Sequence, residues 1–259
     1  MTTTQNPEAA INAALAAGRD TYTTYHANGR WAPARYRAQR ALLDTLYARQ
    51  SHVPADGRAM MLGGLGGSGK GKVQRENASL QVADYFTVDP DTIKLEMAAR
   101  GMIPAVDGLS PMEASPLVHL EASELSQRLA RRVYRARLNV LWDITISNVP
   151  SVMARLDAMR KAGYSQIDGV FVDADPIVAR ERTIRRHAHG QASYAAGQGF
   201  GGRWVPEAIS AENAATPGSG YRSRNAEVFA TVRTEFDSSI VVDASDGSTT
   251  SASGSRWSR

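Results

Sequence analysis

The sequence predicts an α/β protein: a parallel sheet of about five strands with helices on both faces, preceded by an N-terminal helical extension. Three observations predict it. Short apolar runs recur at Ala59–Leu62, Tyr85–Val88, Asn139–Trp142, Gly169–Val172 and Ile240–Val242, with helix-length segments between most of them. That alternation suits a parallel sheet covered by helices. Four of the runs are followed directly by an acid, Asp89, Asp143, Asp173 and Asp243, and in such sheets the ligand crevice lies beyond the carboxyl ends of the strands. Finally, the first run leads straight into a glycine-rich stretch, GGLGGSGKGK, at 63–72.

The elements follow in order. Residues 7–50 are rich in alanine and arginine, and Ile11, Leu15, Leu42, Leu43, Leu46 and Tyr47 fall at helical spacing. Two or more helices fit there, broken near Gly29 and Pro33. SHVPADG, at 51–57, reads as a linker, which makes 1–57 an extension and 58–246 the main domain. A helix is expected over 70–83. The serine-rich end, 247–259, has little to bury and is expected to be disordered.

Composition excludes several classes. The 259 residues can bury one sizeable core, and 30 Lys+Arg against 26 Asp+Glu suits anionic small substrates. A nucleic-acid binder would show a sustained basic stripe. The nearest, Arg128 to Arg137, reads as a solvated helix face, so no nucleic-acid partner is expected. Without cysteine there is no disulfide framework and no thiolate metal site. The polar start MTTTQNPEAA and the lack of a membrane-length apolar run point to a cytoplasmic protein with no membrane partner.

The glycine stretch carries the chemistry. Gly64-Leu65-Gly66-Gly67-Ser68-Gly69-Lys70 fits G-x-x-x-x-G-K, the pattern of a phosphate-binding loop. A buried strand before it and a helix after it are the context this chemistry needs. Backbone N–H groups converge on phosphate oxygens, the helix N-terminus adds positive potential, and Lys70 reaches the terminal phosphates. Gly71 stands where a Ser or Thr normally holds magnesium, and Lys72 follows. Mg2+ would then be held through water and carboxylates, which its hydration habits allow.

Phosphoryl transfer further needs a base, an acceptor surface and cations for the charge at transfer. In TVDPDTIK, 87–94, either Asp89 or Asp91 could take a hydroxyl proton, and Asp91 could equally be a helix N-cap. In NVLWDITISN, 139–148, Asp143 could orient magnesium through water or bind the acceptor, with Thr145 two residues on. Arg180, Arg182, Arg185 and Arg186 crowd one helical stretch. The glycine-rich AAGQGFGGRW, ending on Arg203 and Trp204, reads either as a mobile lid or as an ordinary loop. His119 could touch substrate, although a lone histidine beside apolar residues is more often structural. His187 and His189 lack partnered ligand spacing, so no resident metal site is predicted.

These pieces resemble the zeta-toxin family of P-loop kinases across roughly 58–236. GGLGGSGKGK looks like the family's nucleotide loop, with Gly64, Gly66, Gly67, Ser68, Gly69, Lys70 and Gly71 as cofactor-binding residues. VDPDTIK looks like its Asp-x-(Phe/Ile)-(Arg/Lys) motif, which makes Asp91 the acceptor-activating base. SPLVHLEASEL resembles the following helix, with His119 toward substrate. NVLWDITISN is similar to a strand ending in Glu-Gly-Thr, which places Asp143 and Thr145 at the acceptor. GVFVDADPIVARERTIRRH and GGRWVPEAI resemble the arginine helix and the Arg-x-x-Pro segment, so Arg185 and Arg203 join Lys70 as catalytic cations.

The resemblance implies a P-loop kinase-type fold, ATP or GTP with Mg2+, and transfer to a hydroxyl of a small acceptor. In characterised relatives that acceptor is the 3′-hydroxyl of UDP-N-acetylglucosamine and related amino sugars. It also implies an antitoxin protein as partner. Three positions depart from the pattern: Gly71 lacks the loop hydroxyl, Asp143 replaces Glu, and Ser147 replaces a basic residue. Other acceptors stay open, namely a nucleoside, an antibiotic or a modified base in DNA, as does a nucleotide-binding protein without transfer activity. For residues 1–50, packing at the sheet edge and guarding the nucleotide site both stay open.

Overall fold

The computed structural model describes residues 6–206 and 213–244, so the expected tail at 247–259 lies outside the described residues. In chain order the elements are α1 (Pro7–Ala16), α2 (Thr21–Tyr25), β1 (His26–Ala27), β2 (Arg30–Trp31), α3 (Pro33–Gln50), β3 (Arg58–Gly63), α4 (Lys70–Glu76), β4 (Phe86–Val88) and α5 (Pro90–Ala99). They continue with α6 (His119–Arg135), β5 (Val140–Asp143), α7 (Val149–Lys161), β6 (Gln166–Asp173), α8 (Pro176–Ala195), α9 (Arg224–Val232) and β7 (Ser238–Asp243). The chain divides into two compact units, one of residues 1–49, 89–129 and 184–206, the other of 50–88, 130–183 and 207–259.

The second unit holds the sheet. Its order is β4-β5-β3-β6-β7, every pairing is parallel, and each strand overlaps one of the apolar runs in the sequence. Alternation sorts the side chains to two faces. On one, Met60, Leu62, Leu141, Val170, Val172 and Val242 pack with Val73 of α4 and with Leu80. On the other, Phe171 stacks on Phe229 of α9 at 5.1 Å, and the Arg155 guanidinium of α7 lies 4.8 Å over Trp142. Helices therefore cover both faces. Gly169 is required on this second face, because a Cβ there would sit 2.8 Å from the Phe236 ring.

The helix expected over 70–83 is shorter than that. It ends at Glu76, and two 3-10 turns follow, Ala78–Leu80 and Val82–Asp84. Asn77 is the reason: its side-chain oxygen accepts from the Ser79 N–H, offering the backbone a turn in place of another helical bond. Gln81 then takes a left-handed conformation at φ 47°, which continues no helix.

The first unit incorporates the N-terminal helices. Ala10 and Ala14 pack against Val106, Ala114 and Leu117. Arg35 donates to both oxygens of Glu121, at 2.8 and 2.7 Å, and Gln39 donates to the same carboxylate at 2.8 Å. Glu121 and Gln39 are fully buried. A buried carboxylate needs such partners, and α3 supplies them to α6. Asn28 and Gly29, both at positive φ, form the two-residue turn of the β1–β2 hairpin, as this turn type requires.

Candidate active site

In the second unit the phosphate loop leaves the carboxyl end of the central strand β3. Gly64, Gly67 and Gly69 all have positive φ. At Gly67 the space is also closed, since a Cβ would lie 2.1 Å from the Ala179 carbonyl oxygen. Gly66, by contrast, has nothing within 4 Å of a built Cβ, and its carbonyl accepts from the Thr183 hydroxyl at 3.4 Å. Ser68 is fully buried, and its hydroxyl has no hydrogen-bond partner among the described residues. Gly69 is the N-cap of α4 and contributes no side chain there. The first N–H groups of that helix therefore have no side-chain cap.

Lys70 opens α4. Its ammonium donates to the Gly64 carbonyl at 2.8 Å and lies 3.8 Å from the Asp143 carboxylate. Asp143 ends β5, level with Leu62 in the neighbouring strand, which puts it on the α4 side of the sheet. There Gln74, one turn beyond Lys70, donates to it at 2.6 Å. Of the other strand-end acids, Asp173 and Asp243 are taken up by Arg222. That guanidinium donates to both Asp243 oxygens at 2.9 and 3.1 Å, and to Asp173 at 3.4 Å. Burial pushes the Asp173 carboxyl up, while Arg222 opposes this.

Arg182 of α8, one of the crowded arginines in the sequence, reaches this loop. It donates to the Ser68 carbonyl at 3.3 Å and to the Ala244 carbonyl at 3.0 Å, tying the loop to the residue after β7. Arg185, which was selected, is exposed on α8. Thr145 is exposed two residues past Asp143, and its carbonyl accepts from the Asn225 side chain at 2.8 Å.

In the first unit, the question of which acid after β4 caps the helix is answered. Asp89 is the N-cap of α5 and accepts from the N–H groups of Asp91 and Thr92. Asp91, in the first turn, is thus free of the capping role. Its carboxylate instead pairs with Arg203 and lies 3.8 Å from the Lys94 ammonium. Burial pushes the pKa of Lys94 down, and the Asp89 carboxylate opposes this; the same two influences act on Arg203. Lys94 is thus a third charged member beside Asp91, legible as the basic residue closing VDPDTIK. His119 is the first residue of α6 and is exposed.

Gly201 and Gly202, just before Arg203, are closely packed. A Cβ on Gly201 would lie 2.1 Å from the Ser110 hydroxyl, and one on Gly202 would lie 2.1 Å from the His187 carbonyl oxygen. The Met112 N–H donates to the Phe200 carbonyl, and the Gly202 N–H donates to Gln191 at 3.0 Å. Glu113 anchors the arrangement: it accepts from the Ser110 N–H and hydroxyl, each at 2.9 Å, and from His187 at 3.0 Å. Burial alone would raise the Glu113 carboxyl pKa, but these bonds and one from Gln191 hold it below the usual range. Gly201 and Gly202 serve close approach of the backbone to its neighbours, whereas Gly197 and Gly199, both at positive φ, have nothing within 4 Å of a built Cβ.

Among the described residues, no group of three or more His, Asp or Glu side chains gathers as a metal site. One carboxylate, Asp143, beside the loop lysine fits an ion held mainly by phosphates and water. No helix among the described residues is long and apolar enough to cross a membrane.

A glycine loop between a central parallel strand and a helix, with its lysine beside a strand-end acid, defines a P-loop kinase-type α/β protein. The zeta toxin family profile matches residues 44–245. The chain belongs to the zeta toxin family. No curated protein sequence matches it. Solved structures with similar folds include AvrRxo1-ORF1:AvrRxo1-ORF2 with sulphate ions, at a TM-score of 0.60 and 17% identity. The match covers 83% of this chain and 65% of the other, so the chain spans about two thirds of that protein. The same pair has been solved with ATP, matching at a TM-score of 0.60 and 16% identity over 83% and 65% of the two chains. The PezAT chromosomal toxin-antitoxin system of Streptococcus pneumoniae matches at a TM-score of 0.52 and 16% identity, covering 84% of this chain and 82% of that one.

Proposed function

We propose that the chain is a kinase that moves the terminal phosphoryl group of ATP or GTP to a hydroxyl of a small acceptor. The observation that carries this reading is the division of labour between Asp89 and Asp91. Asp89 satisfies the helix N-terminus, so Asp91 is not needed as a cap, and it is held among cations instead. A module that only binds nucleotide has no need of a base at this position.

Asp91 takes the acceptor proton, and Lys70, Arg185 and Arg203 balance the charge on the transferring group. A carboxylate bonded to a guanidinium is a weak base, so Arg203 must give up part of its bond to Asp91 as transfer proceeds. Magnesium, when bound, neutralises phosphate charge, and Asp143 is the carboxylate placed to hold it through water. Asp143 and Thr145 face the acceptor, with His119 as a further contact. A UDP-amino sugar such as UDP-N-acetylglucosamine is the first acceptor to try. Asp143 in place of Glu shortens that side chain by about one bond length, enough to shift a hydrogen bond set near 3 Å. A nucleoside, an antibiotic or a modified base therefore belongs in the same trial. An antitoxin protein is the proposed macromolecular partner, and the cytoplasm the proposed location.

The test is ADP release from ATP–Mg across those acceptors, with Lys70→Ala as control. Turnover that depends on one acceptor and is lost in Lys70→Ala is expected. Nucleotide binding without acceptor-dependent release on any of them would leave the binding-module reading in place.

A further inference from the structure

The segment joining β5 to α7 contains a backbone outlier. Ile146 sits at φ 55°, in the left-handed region that a β-branched residue adopts only under constraint. It is 1% exposed, and its side chain occupies the space above Gly63, where a Cβ would lie 2.2 Å from the Ile146 Cδ1. The residue before it is Thr145, exposed and assigned above to the acceptor.

Asn225 meets this segment from α9. It is 1% exposed, and its Nδ2 donates to the Thr145 carbonyl at 2.8 Å. Its Oδ1 is buried with no partner among the described residues. An unsatisfied buried acceptor destabilises a fold, whereas leucine would fill similar volume without that cost. What only the amide provides is the bond to Thr145. On the far side, Asn148 caps α7 by accepting from the Ser151 N–H at 2.8 Å, so the strained turn is fixed at both ends.

We propose that Asn225 is a positioning residue for acceptor binding: it holds the strained Thr145–Ile146 backbone so that the Thr145 hydroxyl faces the acceptor. This rests on the kinase reading for the role of Thr145, but the latch itself is a property of the fold. The residues involved, 63, 143–148 and 225, all belong to the second unit.

Two measurements on the full chain separate these levels. Amide hydrogen exchange needs no acceptor. In Asn225→Ala, exchange across 144–148 rises about tenfold, as expected for loss of the hydrogen bond together with release of backbone strain. Nucleotide affinity stays within about twofold, because no loop contact is removed. Asn225→Asp keeps the shape but replaces the donor with an acceptor, so it loosens the segment at least as much; where the buried charge prevents folding, Asn225→Ala decides. Unchanged exchange at 144–148 in Asn225→Ala overturns the latch. The second measurement uses ATP–Mg with UDP-N-acetylglucosamine, or whichever acceptor in the trial the wild type phosphorylates. The acceptor KM rises about tenfold while kcat changes less than about threefold. A lower kcat at unchanged KM, tracking a lower Tm, assigns Asn225 a merely structural role and overturns the proposal. Wild type that phosphorylates no acceptor defeats the kinase reading and with it Thr145 as an acceptor contact, leaving the exchange result to judge the latch alone.

Discussion

At the scale of single residues, the site depends on places where no other side chain fits. Gly67 is one, with φ 84° and the Ala179 carbonyl 2.1 Å from a built Cβ. Gly67→Ala combines left-handed strain with a clash, so it should cost about 1–3 kcal/mol and abolish nucleotide binding, checked by thermal unfolding and ATP titration. The glycine-lysine pattern made this position legible from sequence. Asp91 was legible only as one of two candidates, because a helix-starting acid can cap or react. Asp89 accepts both N–H groups, which relieves Asp91 of the cap and leaves it the proposed base. Arg182 was legible only as one of four crowded arginines, and Asn225 not at all. Each donates to a backbone carbonyl distant in sequence, Ser68 and Ala244 for one and Thr145 for the other. A carbonyl oxygen is the same in every residue, so it leaves no trace in the amino-acid pattern.

At the scale of elements, strands were easier to read than helix ends. Buried parallel strands show as continuous apolar runs, whereas α4 stopped early because Asn77 turned the chain with its own side chain. Glycine is ambiguous for a related reason: it marks close packing as well as open turns, and only the neighbours distinguish Gly201 and Gly202 from Gly197 and Gly199. Glu113 offers a test of that packing. Glu113→Gln removes the charge that Ser110, His187 and Gln191 satisfy, lowering stability by about 1–3 kcal/mol near pH 7. The folded-state pKa of Glu113 is depressed. Its contribution is therefore present above the ordinary glutamate value of the unfolded chain and is lost as pH falls through the lower folded value. Urea unfolding at a series of pH values should show wild type and variant converging at the acid end. A constant gap would mean the charge is not what holds the segment.

At the scale of the whole molecule, the alternation of apolar runs and helix-length segments conveyed the sheet, but not its order or the integration of the N-terminal helices. Those helices bury Ile11, Leu42, Leu43 and Leu46, the apolar positions that the helical spacing marks. What the spacing does not show is the packing of Ala10 and Ala14 and the pairing of Arg35 with a fully buried Glu121. Arg35→Ala leaves that carboxylate without its guanidinium and should cost about 3–5 kcal/mol in urea unfolding. Deleting residues 1–49 should abolish soluble expression by exposing Val106, Ala114 and Leu117. A truncated chain that stays soluble and unfolds at the wild-type Tm would show the helices to be dispensable.

The central claim is that this fold transfers phosphate, with Asp91 as the base. The most direct measurement is single-turnover transfer from labelled ATP to the acceptor in wild type and Asp91→Asn, with ATP affinity measured on the same samples. The account predicts unchanged ATP affinity and a transfer rate lower by about 10²–10⁴-fold in the variant. Equal transfer rates in the two proteins, at equal affinity, would contradict it.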